Sequence, residues 1–167
     1  MKHAAIEMYD FHIWANLTML NYLQELPAGM YEQELTSVFP TISSVMPHIY
    51  VTDRCWLEIM NGTNMSEALE HSNQIKEEIA KAGIADLKEL FSQSAEKYRE
   101  FFATHENMDA AIVVDNPYAG VRENSYAQIV LQVVNHATYH RGNITAMLRQ
   151  LGHPSTMTEY ALYWYTK

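Results

Sequence analysis

Ser125-Tyr126-Ala127-Gln128-Ile129-Val130-Leu131-Gln132-Val133-Val134-Asn135-His136-Ala137-Thr138-Tyr139-His140-Arg141-Gly142-Asn143-Ile144-Thr145-Ala146-Met147-Leu148-Arg149-Gln150-Leu151, followed by Gly152-His153-Pro154, is the stretch that decides the fold. Ser125 is placed to cap a helix at its start, Gly152 to close it, and Pro154 to stop it just beyond. Apolar residues at Ile129, Val133, Ala137, Ile144, Met147, Leu148 and Leu151 repeat with the helical period, which predicts one long helix with a buried stripe. His136 and His140 lie in that stripe. Residues four apart on a helix are neighbours, with Cβ atoms about 5–6 Å apart, so both imidazoles can reach one point. Two readings are open: core histidines hydrogen-bonded to nearby polar groups, or ligands of a shared divalent metal. An apolar core offers few polar partners for two imidazoles, and a third ligand would favour the metal.

Working outward, three further helices are expected. The first runs from about Ala4 to Leu26, with Met8, Phe11, Ala15, Leu20 and Leu23 at helical intervals and Pro27 and Gly29 ending it. His12, with no ligand partner at i+3 or i+4, is read there as a surface or rim residue. After a connection through Phe39, Thr41 or Ser43 caps a second helix to about Met60, closed by Asn61-Gly62. Pro47 fits it in the first turn, or else kinks it. Val45, His48, Thr52, Cys55 and Ile59 form a stripe on this helix, which makes His48 the candidate third ligand against the alternative of an ordinary half-buried histidine. The charged segment 61–84 reads as a short helical turn at most over Ser66–His71, the rest being a solvated connection with room for one more helical turn. Asp86 reads as the N-cap of the third long helix, with Glu89 at the capping-box position and an end near Thr104. His105 there suits the helix dipole.

Between Met108 and Asn124, the β-branched run Ala110–Val114 and the turn residues Asp115–Gly120 suit a short hairpin or an extended loop. The aromatic tail, with Tyr160, Tyr163, Trp164 and Tyr165, is expected to pack on the bundle or across a dimer. The expected architecture is therefore all-α: one domain over 1–167, an antiparallel four-helix bundle with a short β-hairpin between helices three and four.

Composition narrows the function. Eleven Lys and Arg against 20 Asp and Glu give a formal charge of −9, which argues against nucleic acid as a partner. The first ten residues carry acids and histidine rather than a signal-peptide pattern, and no run of 18 apolar residues occurs, so the expected setting is the cytoplasm with no membrane partner. Cys55 is the single cysteine, which rules out an intramolecular disulfide and a thiolate-rich zinc site. Any metal site must use nitrogen and oxygen.

His48, His136 and His140 would supply three imidazoles, the protein share of a catalytic site that leaves a position for water or substrate. Zinc is the default ion for such a set, while nickel, copper and iron also suit imidazole. The ion would act as a Lewis acid, lowering the pKa of a bound water or thiol. Gln132 and Asn143, on the same side of the helix, are candidates to accept the other ring N–H of a ligating histidine. No Glu follows His136 as it does in HExxH metalloproteases, so peptide hydrolysis by that route is disfavoured.

These residues together resemble the DinB/YfiT-like metalloprotein superfamily: His48; His136-Ala137-Thr138-Tyr139-His140-Arg141-Gly142; Trp14-Ala15-Asn16; Trp56-Leu57; the hairpin with Gly120; and Leu151-Gly152 followed by proline. The resemblance spans nearly the whole chain. It implies a four-helix bundle, often a homodimer, and a metal centre with the ligand role on His48, His136 and His140. Members with assigned activities include transferases and isomerases that use low-molecular-weight thiols such as bacillithiol or mycothiol. Asn143 departs from the Gln that many members carry after Arg-Gly, which bears on any role of that side chain. The leading expectation is a metal-dependent enzyme activating a small thiol against a small-molecule electrophile. The alternatives are hydrolysis through metal-bound water and a non-catalytic, dimeric metal-binding protein.

Overall fold

The computed structural model describes residues 2–166. Its bundle helices are α1 (Ala4–Gln24), α2 (Val45–Met60), α4 (Ile84–Thr104) and α5 (Tyr126–Gln150); α3 (Met65–Ile79) packs outside on α2, and the short α6 (Tyr160–Tyr163) follows in the tail. The expected all-α bundle with a hairpin before its last helix is what forms. Strands β1 (Ala111–Asn116) and β2 (Gly120–Ser125) pair antiparallel, from Ala111 opposite Ser125 to Asn116 opposite Gly120. Gly120, at φ 88°, occupies the left-handed conformation that the turn needs and that a side chain would strain.

Local chemistry fixes the ends of α5. Ser125 Oγ accepts from Gln128 N–H at 3.2 Å while Gln128 Oε1 accepts from Ser125 N–H at 3.0 Å, a complete capping box. At the other end Gly152, at φ 73°, turns the chain so that His153 N–H reaches Leu148 O at 2.9 Å. Pro47 falls in the first turn of α2, after a 3₁₀ turn at Ile42–Ser44, where its missing N–H leaves no bond unmade.

Segment 61–84 is not a solvated connection. Asn64 caps α3 by accepting from Ser66 N–H at 2.9 Å, and Met65, Ala68, Leu69, Ile75 and Ile79 pack inward in a helical stripe beneath the acids. The charges occupy the other face and hide the period. α4 also starts three residues earlier than expected: Gly83 is its N-cap, and Asp86 sits at the third helical position, accepting from Gly83 N–H at 3.2 Å.

The extra helix sets the direction of its neighbours. Tyr9 stacks on Tyr98 and Gln24 meets Lys88, so α1 and α4 are antiparallel. Tyr50 packs on Phe91 and Tyr98 reaches Asp53, so α2 and α4 run the same way, α3 having taken up the reversal between them. His48 faces His136 and His140 while Cys55 and Leu57 share a core with Ile129 and Val133, which makes α2 and α5 antiparallel. Two large apolar clusters fill the bundle, one around Tyr9, Tyr98 and Val130 and one around Met19, Met46 and Met147, and a smaller one joins Phe11, Ala15 and Val134 to Tyr163 of the tail. No helix among the described residues is long and apolar enough to cross a membrane.

Candidate metal centre

α2 and α5 carry their histidines to one point. The Nε2 atoms of His48 and His136 lie 3.1 Å apart, those of His48 and His140 3.2 Å, and those of His136 and His140 3.1 Å. Phe39, from the connection before α2, closes one side with ring centroids 5.4 Å from His48 and 5.2 Å from His140. Tyr139 sets its ring edge-on to His140 at 5.0 Å.

Hydrogen bonding within the protein cannot satisfy this triangle. Each pair needs one donor and one acceptor, and three mutually touching atoms cannot alternate two roles. Asn143 Oδ1 lies 3.0 Å from His140 Nδ1 and accepts its proton, so the neutral ring presents a bare Nε2 lone pair to the other two. Burial, joined by mutual repulsion of the would-be imidazolium charges, lowers His48 to about 4 and His136 to about 3; burial lowers His140 as well. All three rings are therefore neutral near pH 7, the form that ligates. A shared cation removes the conflict, and the spacing suits one: at metal–nitrogen bonds of about 2.0–2.1 Å, neighbouring ligands of a tetrahedral ion lie about 3.3 Å apart. The three histidines could hold a metal ion, and no other His, Cys, Asp or Glu of the described residues joins the group.

The depressed pKa values fix the sign of a pH effect. In the unfolded chain these histidines take up protons below about 6.5, whereas in the folded metal-free protein they resist protonation to about 4 for His48 and about 3 for His136. The stability they contribute is full above pH 6.5 and falls as pH drops from there through 4 toward 3. Urea midpoints of metal-free protein between pH 7.5 and 4 should decline over that window, and less steeply in a His48→Gln, His136→Gln double variant.

Of the two residues expected to support the ligands, Asn143 bonds His140. Gln132 is exposed beside the hairpin and Trp56, and His136 Nδ1 is buried with no hydrogen-bond partner among the described residues. Cys55, two turns along α2 from His48, does not join the triad: its buried thiol bonds Ser72, and burial pushes its pKa up. His71 pairs with Glu58 and His105 stacks on Phe101, both remote from the cluster. Glu159, at the N-cap position of α6, does not join the group.

His12 is not a rim residue. It is 1% exposed, and its Nε2 lies 2.7 Å from Asp53 Oδ2 and 3.0 Å from Asn16 Nδ2. Arg141, 2% exposed, donates to Asn16 Oδ1 at 2.7 Å and to Thr138 Oγ1 at 2.8 Å, while Tyr98 OH donates to the Asp53 carbonyl at 2.7 Å. Burial raises Asp53 above the usual carboxylate range, against the pull of His12 and Arg141. This network ties together all four bundle helices one residue from His140. Two signals in the sequence could have revealed it. Asn16 stands at i+4 from His12, and Asp53 and Arg141 interrupt apolar stripes, Met46-Ile49-Asp53-Leu57-Met60 and Ala137-Arg141-Ile144-Leu148.

A four-helix bundle whose two facing helices converge three neutral imidazoles has a site that could hold a metal ion between them. The DinB family profile matches residues 1–167, and Protein DinB of Bacillus subtilis (strain 168) is 40% identical over 163 residues, covering 98% of this chain and 95% of its own length. The chain belongs to the DinB family.

Proposed function

We propose that this protein is a metal-dependent enzyme in which His48, His136 and His140 hold a divalent transition ion, zinc by default or nickel, that activates a low-molecular-weight thiol for transfer to a small electrophile. One observation carries the reading: three lone-pair nitrogens converge from two helices, and the described residues offer no fourth ligand that would close the shell. A structural site normally has four protein ligands, whereas a catalytic one keeps a position for exchange. When bound, the ion supplies Lewis acidity that lowers the pKa of a ligating thiol. Asn143 fixes the ring orientation of His140, and Phe39 limits water at the face it covers. The thiol itself comes from the resemblance to thiol-dependent members of the superfamily. A homodimer belongs to the same proposal, with the exposed apolar side chains Leu162, Trp164 and Tyr165 of the tail as its surface.

The test is conjugation of free cysteine to 1-chloro-2,4-dinitrobenzene by zinc-loaded and metal-free protein across pH 5–9. Zinc-dependent acceleration that persists well below the free thiol pKa of about 8.5 is the expected result. Equal rates with and without zinc would contradict thiol activation, and zinc-dependent cleavage of an activated ester in place of conjugation would replace transfer by hydrolysis.

A further inference from the structure

His48 also borders a cavity of about 430 Å³ between α2 and α3, a volume within the range of about 300–1,000 Å³ that small-molecule sites occupy. The two helices are joined by residues 61–64 alone and run antiparallel, so their facing stripes pass along the cavity in opposite senses. Cys55 and Trp56 on α2 therefore meet Met65 and Leu69 on α3 at one end, and His48 meets Lys76 at the other. The cavity is apolar at the first end and positively charged at the second.

Its charge is selective for the sign of a ligand. The chain carries 20 acidic residues, and α3 alone has Glu67, Glu70, Glu77 and Glu78, yet no carboxylate lines the cavity. Lys76 is the single Lys or Arg in the lining, and it enters none of the ion pairs of the described residues. Asn73 and Ser72, on the same face of α3, add hydrogen-bonding groups beside it.

We infer that this cavity is the substrate site and that it takes an amphipathic carboxylate: an apolar body against Trp56, Leu69 and Met65, and an anionic end held by Lys76 beside the histidine cluster. The reacting atom then lies within a few bonds of the carboxylate, because Lys76 and His48 share one end of the cavity. The assignment of the occupant as substrate rests on the proposed enzymatic function; its binding does not, since neither the apolar wall nor Lys76 needs a metal.

The experiment is a fluorescence titration, with Trp56 in the lining as reporter, of metal-free and zinc-loaded protein with 4-phenylbutyrate and its neutral amide. Metal-free wild type is expected to bind the carboxylate at least threefold more tightly than the amide. Lys76→Met should erase that preference without changing amide affinity, and Lys76→Arg should restore it. Because Lys76 is exposed, these variants keep the fold, which circular dichroism checks. Equal affinity for acid and amide in wild type, a preference surviving Lys76→Met, or binding of neither compound would overturn the proposal. Carboxylate binding to protein that fails to retain zinc would leave this site standing and remove the proposed metal chemistry; zinc retention with no carboxylate binding would do the reverse.

Discussion

Arg141→Ala is expected to destabilise the protein by about 3–5 kcal/mol, the range for breaking a buried charged network by removing one member. For a domain of this size that corresponds to a melting temperature roughly 6–20 °C lower. Three losses combine. Asn16 Oδ1 and Thr138 Oγ1 each lose the guanidinium donor inside the bundle, Phe11 loses the cation seated 5.6 Å from its ring centroid, and Asp53 loses a nearby positive charge. Arg149→Ala on the exposed face of the same helix is the control, expected within about 0.5 kcal/mol of wild type. Thermal or urea unfolding of both variants decides the matter. A cost for Arg141→Ala no larger than the control would mean that the network contributes nothing.

The second large effect concerns the metal. His136→Ala or His140→Ala should weaken zinc binding on the order of 100-fold. Structural zinc in small peptides binds with about 10–16 kcal/mol over its ligand set, so one imidazole among three accounts for several kcal/mol. Competition against a chromophoric chelator measures the loss. The same substitution at His71, His105 or His153 should leave affinity unchanged, because none of these belongs to the cluster. Wild-type affinity in His136→Ala or His140→Ala would mean that zinc binds elsewhere.

How far the sequence carries the fold depends on whether a residue's partners are local. The i,i+4 pair on α5, its Ser125 cap and its Gly152 stop are local features, and all were legible. The convergence of His48 on that pair is not local, yet its inward stripe and the bundle logic were enough to nominate it. Asn143 was legible because it lies one turn from His140 on the same face; Gln132, one turn before His136, satisfied the same spacing and points to solvent. Helix α3 escaped because four glutamates hide an apolar stripe that packs chiefly on α2. The polar network escaped for a related reason. His12 and Asn16 show their spacing, but their burial depends on Asp53 and Arg141, 41 and 125 positions from their respective partners. The Asn16 spacing and the interruptions of apolar stripes at Asp53 and Arg141 were the signs of it, but on three separate helices they do not say that the residues meet. The cavity beside His48 was out of reach for as long as α3 was read as a connection.

The proposed site has α2 and α5 holding one ion jointly, and metal content is the property that follows from it. Protein purified without a histidine tag or chelator, beside a His48→Ala variant, is analysed for divalent transition metals per chain. Close to one ion per chain is expected in wild type and nearly none in the variant, because His48 is the one imidazole that α2 adds to the pair on α5. A wild type without metal, or a metal content indifferent to His48→Ala, would contradict it.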